Sequence, residues 1–192
     1  MKLISLLTIL IPLTIYPKTI AKKPVINMEV NAMSSSFNIY GDSSLKKWET
    51  KVTTFYGKGS FEMEGEKIKK INSFTIDLES KDIKSGSDTM DEHTASALEI
   101  EKFPKITGTI KNSTISENMV TGTMEFDLHG VRKSVPFNST ISLSSGKLTV
   151  EGEQLLNITD FGITPPITKI LFFSATVTPE INIKYKFDLE AK

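Results

Sequence analysis

Two histidines, His93 and His129, are the only imidazoles in the chain, and there is no cysteine. Base-assisted nucleophiles and metal sites normally need more ligands than this, or pairs at helical spacing such as i, i+4. The two histidines fall in different contexts, one in a segment of helical spacing and one at a turn. Asp91-Glu92-His93 is a dense polar triplet, but adjacent residues on a helix point in different directions. It reads as a polar helix face rather than a catalytic group. No Gly-x-Ser-x-Gly elbow and no glycine-rich phosphate loop is present. Without cysteine there is no thiolate nucleophile, no disulfide, no Cys-ligated zinc or iron–sulfur site and no lipid-modified N-terminal cysteine. The expectation is a protein that is not an enzyme and binds no metal or cofactor.

The chemistry must then come from apolar surface. The chain has 192 residues, enough for one domain with its own core. Hydrophobic residues make up 39% and charged residues 24%, with 23 basic side chains against 23 acidic ones. That balance leaves no basic footprint for nucleic acid and no polybasic membrane anchor.

The start of the chain reads as an address. Met1-Lys2 precedes an almost wholly apolar run from Leu3 to Ile15, too short for a span of roughly 20 residues. Thr19-Ile20-Ala21 then offers a cleavage site after Ala21. Residues 1–21 are therefore expected to be a signal peptide, and residues 22–192 a single exported domain. Removing Lys2 and Lys18 leaves 21 basic and 23 acidic side chains, a net charge of −2. No stable membrane span is expected after cleavage. The oligomeric state is not legible.

The body alternates with period two. Phe74, Ile76 and Leu78 lie on one parity, as do Met124, Phe126 and Leu128. Val135, Phe137 and Ile141 repeat the pattern, and Val177, Ile181, Ile183, Tyr185, Phe187 and Leu189 carry it to the C-terminus. His129-Gly130 and Ser144-Ser145-Gly146 mark short turns, so consecutive strands pair as antiparallel hairpins. About eight strands are expected, a number that closes into a barrel able to hold one small ligand.

Two stretches depart from this. Met90, Thr94, Ala97 and Leu98 have helical spacing, with Ser87 or Asp88 placed to cap the start. From Phe161 to Phe173, Pro165-Pro166 blocks regular pairing and an apolar cluster follows, read as a lid, a plug or packing under a loop. Trp48, the only tryptophan, either lines a pocket mouth or closes a barrel end.

Three motifs in order resemble the YceI-like family of polyisoprenoid-binding proteins. Asp91-Glu92-His93 followed by Phe103-Pro104-Lys105-Ile106 is similar to its Asp-x-His helix and Phe/Tyr-Pro-x-Ile strand start. The run from Gly122 through Leu128-His129-Gly130-Val131 to Phe137 resembles its strand–turn–strand hairpin. Asp160-Phe161-Gly162-Ile163 is similar to its Asp-Phe-Gly-Ile signature. The opening segment from Ser36 to Trp48 resembles the variant in which Gly-x-Ser leads to Trp. There are departures: Ile158 stands where a basic residue is common, and Pro165-Pro166 is an unusual insertion.

The resemblance implies an all-β, lipocalin-like antiparallel barrel with one short helix over an end. It also implies export to the periplasm or beyond, and an isoprenoid-type or other amphiphilic lipid in the barrel as the partner. The candidate lining is Phe37, Ile39, Phe74, Ile76 and Leu78 from the first half of the body. Met124, Phe126, Leu128, Val135, Phe137 and Ile141 continue it, with Trp48 and Phe161 at the ends. The competing expectation is an envelope stress or interaction protein whose barrel is a filled scaffold.

Overall fold

The computed structural model describes residues 23–170 and 173–192, with the side chains of 168–173 left aside. The expected signal peptide and most of the apolar cluster after Pro166 therefore lie outside the described residues. Within them the inward/outward alternation becomes a closed eight-stave antiparallel barrel.

Several staves are interrupted. The first is β1 (Val25–Val30) and β2 (Ser36–Ser43), separated by a 3-10 turn over Ala32–Ser34. Asn31 forces that break: its side-chain oxygen accepts from the Met33 backbone N–H at 3.1 Å. The second stave is β3 (Trp48–Val52) with β4 (Phe55–Glu64). The third is β5 (Lys67–Glu79), a second 3-10 turn and the short β6 (Ile83–Lys84). The helix α1 (Asp88–Ala97) crosses to four long strands, β7 (Lys105–Ser116), β8 (Met119–Leu128), β9 (Val131–Ser144) and β10 (Lys147–Asn157). After a third 3-10 turn (Ile158–Phe161), β11 (Ile167–Ile170) pairs with the start of β12 (Phe173–Ala191). Regular pairing thus resumes directly after Pro165-Pro166.

β12 closes the ring. It pairs with β10 along one edge, and with both β2 and β1 along the other (Ile183 opposite Ile39, Leu189 opposite Val30). Closure leaves no open edge between these staves for another chain to extend. The turns follow the sequence signals. His129-Gly130 and Ser145-Gly146 are two-residue loops with φ positive at both positions, the backbone that matches strand twist.

The interior is graded along the barrel axis. At the end away from α1, Met28, Phe61, Val120, Leu148 and Leu189 are fully buried and form a floor. Above them Phe37, Phe55, Phe74, Tyr185 and Phe187 form an aromatic cluster with ring centroids 5.1–6.5 Å apart. Burial raises the Tyr185 pKa, and its hydroxyl meets Ser139 Oγ at 2.8 Å.

One charge lies under this frame. Asp188, between inward-facing Phe187 and Leu189, is only 4% exposed because the Ala32–Ser34 turn covers it. Its carboxylate accepts from Thr149 Oγ1 at 2.7 Å and Lys147 Nζ at 3.1 Å. The Thr149 hydroxyl, followed by Lys147 and Ser34, holds its pKa below the usual carboxylate value. A lowered folded pKa gives stability above the unfolded value of about 3.9, and that stability is lost as pH falls through the folded value. Asp188→Asn is therefore expected to cost about 1–3 kcal/mol at pH 7. The gap to wild type should narrow as pH drops below about 4. Urea midpoints across pH check this; a gap independent of pH contradicts it.

A candidate lipid-binding cavity

The interior is not filled at the α1 end. A cavity of about 400 Å³ opens there, inside the 300–1,000 Å³ typical of small-ligand sites. Its walls are almost wholly apolar. Phe37, Ile39, Ile76, Leu78, Phe126 and Leu128 come from the staves. A second void of about 50 Å³ lies nearer the floor, and the two share Phe37, Ile76, Phe126 and Ile183.

Seven of the thirteen expected lining residues surround the upper cavity, including Trp48 at its rim. Phe74, Met124, Phe137 and Ile141 instead line the small lower void. Val135 and Phe161 line neither. Val135 packs half-buried against the core, on a strand that gives the upper cavity no residue at all. Phe161 is fully buried in the 3-10 turn that plugs the barrel end.

Other lining residues were not expected. Met90, His93, Thr94 and Ala97 form a stripe on α1, and Thr50 and Val52 lie on β3. Ala175, Val177 and Ile181 line the cavity from β12. The helical spacing of Met90, Thr94 and Ala97 and the parity of Val177 and Ile181 are visible in the sequence. The end of the barrel they share is not.

The motifs position this cavity rather than perform chemistry in it. α1 is held by Asp91, not by Ser87, whose side chain makes no cap hydrogen bond. Asp91 Oδ1 accepts from both the Ser85 backbone N–H and the Ser85 hydroxyl at 2.7 Å, and Lys84 Nζ lies 3.7 Å from Oδ2. The Ser85 hydroxyl, its N–H and Lys84 together lower the Asp91 pKa. This ties the helix to β6 and fixes its apolar stripe over the opening.

His129 gathers the remaining motifs. Its Nδ1 lies 3.2 Å from the Phe161 carbonyl oxygen, which can only accept, so Nδ1 carries the proton. Its ring packs on Phe103 with centroids 4.3 Å apart. Nε2 is buried without a hydrogen bond, with Glu99 Oε1 3.4 Å away. Asn157 starts the Ile158–Phe161 turn by accepting from Thr159 N at 3.0 Å, and Gly162 ends it at φ 73°. The Phe-Pro, His-Gly and Asp-Phe-Gly segments thus make one clasp beside the cavity. Trp48 is set by a close backbone approach: its Nε1 donates to the Asp42 carbonyl at 3.2 Å, and its indole covers Gly41 so closely that a Cβ there would overlap it. Among the described residues no group of three or more His, Asp or Glu is placed to hold a metal ion.

A closed eight-stave antiparallel barrel with an apolar chamber under one short helix has the architecture of barrels that hold one small ligand. The chain belongs to the YceI-like domain family, whose model matches residues 25–189. No curated protein matches it. Solved structures share the fold. Burkholderia cenocepacia BcnA superposes with a TM-score of 0.69 at 14% identity, covering 83% of this chain and 98% of that one. A polyisoprenoid binding domain from Saccharophagus degradans, implicated in plant cell wall breakdown, gives 0.66 at 13% identity, covering 87% and 99%. The Campylobacter jejuni YCEI protein gives 0.59 at 15% identity, covering 74% and 84%. Among the described residues no helix is long and apolar enough to cross a membrane.

Proposed function

We propose that this protein holds an isoprenoid-type amphiphile, tail inward, for storage or transport outside the cytoplasm. It acts there after removal of residues 1–21 and without catalysis. The observation that carries this reading is the apolar cavity of about 400 Å³ at the α1 end, where a scaffold would have side chains. The polyisoprenoid binding of the Saccharophagus neighbour supports the ligand class.

The energetics are sufficient. Transferring apolar surface from water gains about 25 cal/mol per Å², so burying on the order of 400 Å² of tail gives roughly 10 kcal/mol gross. Covering the apolar cavity walls adds several kcal/mol more, which offsets the several kcal/mol of ordering the tail and leaves the about 8 kcal/mol net that micromolar binding needs. Among the described residues catalysis has no constellation to support it, and Asp91 and His129 of the motifs hold the helix and the clasp.

Trp48 provides the test, because it is the only tryptophan and lines the cavity. Adding an isoprenoid quinone should quench its emission saturably, with a micromolar or tighter dissociation constant. Quenching that is linear and no stronger than for free N-acetyltryptophanamide would overturn the reading and favour a barrel used as a scaffold.

A further inference from the structure

The cavity lining carries a single lysine. Lys46 is the only charged side chain in its lining among the described residues, and no carboxylate faces it there. Lys46 makes no ion pair among those residues. Of the acids nearest in sequence, Glu49 is exposed on β3 at the parity opposite Trp48 and Thr50, outside the cavity lining, and Asp42 turns its Oδ1 onto the Ser43 backbone N–H at 2.8 Å.

The loop carrying Lys46 is preorganised. Ser43 Oγ donates to the Lys46 carbonyl at 2.7 Å and accepts from the Lys46 N–H at 3.1 Å. Below Lys46 on the same wall come Trp48 and then Thr50. Thr50 is 2% exposed, and its Oγ1 is buried with no hydrogen-bond partner. A buried hydroxyl without a partner is costly, and native proteins rarely leave one unless something else supplies the bond. A rotation of about 120° about χ1 carries a threonine hydroxyl from one staggered position to another, so Thr50 has a donor to offer to a molecule in the cavity.

Resting on the lipid-holding reading above, we propose that Lys46 and Thr50 form a head-group subsite that selects amphiphiles ending in an acidic oxyanion. Both groups donate hydrogen bonds, and Lys46 adds charge. An ammonium or amine head would meet no counter-charge at this subsite. An alcohol head would gain no ion pair. An oxyanion head gains charge-assisted bonds at Lys46 and the missing partner at Thr50. Trp48 lies between the two in the chain and lines the same wall.

Farnesyl phosphate and farnesol share a tail and differ only in the head, so they isolate this subsite. Delipidated protein titrated with each, followed at Trp48, should bind farnesyl phosphate at least about tenfold more tightly. Lys46→Met, an exposed change, should remove most of that preference while leaving farnesol within about twofold of wild type. Thr50→Val should also weaken farnesyl phosphate, and should raise the melting temperature of the empty protein because the orphan hydroxyl is gone. Equal affinities in wild type, or a preference that survives both variants, would overturn the subsite and leave the lipid cavity standing. Binding of neither ligand would remove the lipid reading and the subsite with it.

Discussion

Replacing Phe126 with aspartate is expected to abolish uptake of an isoprenoid amphiphile by a barrel that still folds. Phe126 is one of four residues shared by the upper cavity and the void beneath it, so its ring lies where a tail must pass to go deeper. It is only half-buried, and although it packs against the core it also lines the open cavity, where the replacement carboxylate has room. Water can enter an empty cavity and solvate a carboxylate. A tail must displace that water, at a cost of several kcal/mol if the group stays ionised. Protonation relieves part of this, because burial raises a carboxyl pKa. Affinity should fall at least about 100-fold at pH 7, with some recovery toward acid pH. Phe126→Leu, which keeps the site apolar, should bind within a few-fold of wild type. Full ligand uptake by folded Phe126→Asp protein would place the tail elsewhere.

Phe61→Ala should do the opposite, costing stability while sparing the ligand. Phe61 is fully buried in the floor, on the strand opposite Ile26 and Ile71, and touches only the lower void. Deleting a buried phenyl ring costs about 3–5 kcal/mol, from lost burial and from the cavity left behind. For a domain of this size that is a fall in melting temperature on the order of 10 °C. Quench titrations at Trp48 should change by no more than a few-fold, because the upper cavity keeps its lining. A loss below about 1 kcal/mol would mean that the floor is not packed as described. A parallel loss of binding would mean that the tail reaches the floor.

The contrast between these residues shows what the sequence can carry. Period-two parity marks a face, and Phe61, Phe74, Phe126 and Phe137 all face inward. Parity does not mark height along the axis, and height separates floor, lower void and upper cavity. Val135 illustrates this: its inward parity is visible, yet the cavity leans toward β2, β3 and α1 and away from β9. Phe161 is a second case. It is apolar and within a recognisable signature, but a capped 3-10 turn directs it into the end plug. Asp188 defeats simple alternation altogether, because an outward position is covered by a turn more than 150 residues away in sequence. The same turn, created by Asn31, splits a stave that alternation alone would run as one strand or miss.

Other features were open to reading from local chemistry. The His129-Gly130 and Ser145-Gly146 hairpins follow from residues that tolerate positive φ. The α1 stripe follows from spacing, although the side chain that holds the helix start is Asp91, through a loop contact that no capping pattern encodes. Trp48 is legible as a residue that lines a pocket mouth or closes a barrel end. What seats its indole is Gly41, which the sequence places seven residues earlier without saying that the two meet.

The most direct test of the central claim is native mass spectrometry of the protein purified without detergent from the envelope or extracellular fraction of its own host. The account predicts a signal above the protein mass that extracts into organic solvent and fragments as a prenyl chain with an acidic head. The bare protein mass alone, from material that also fails to take up added isoprenoid quinone, would contradict it and leave the barrel as a scaffold.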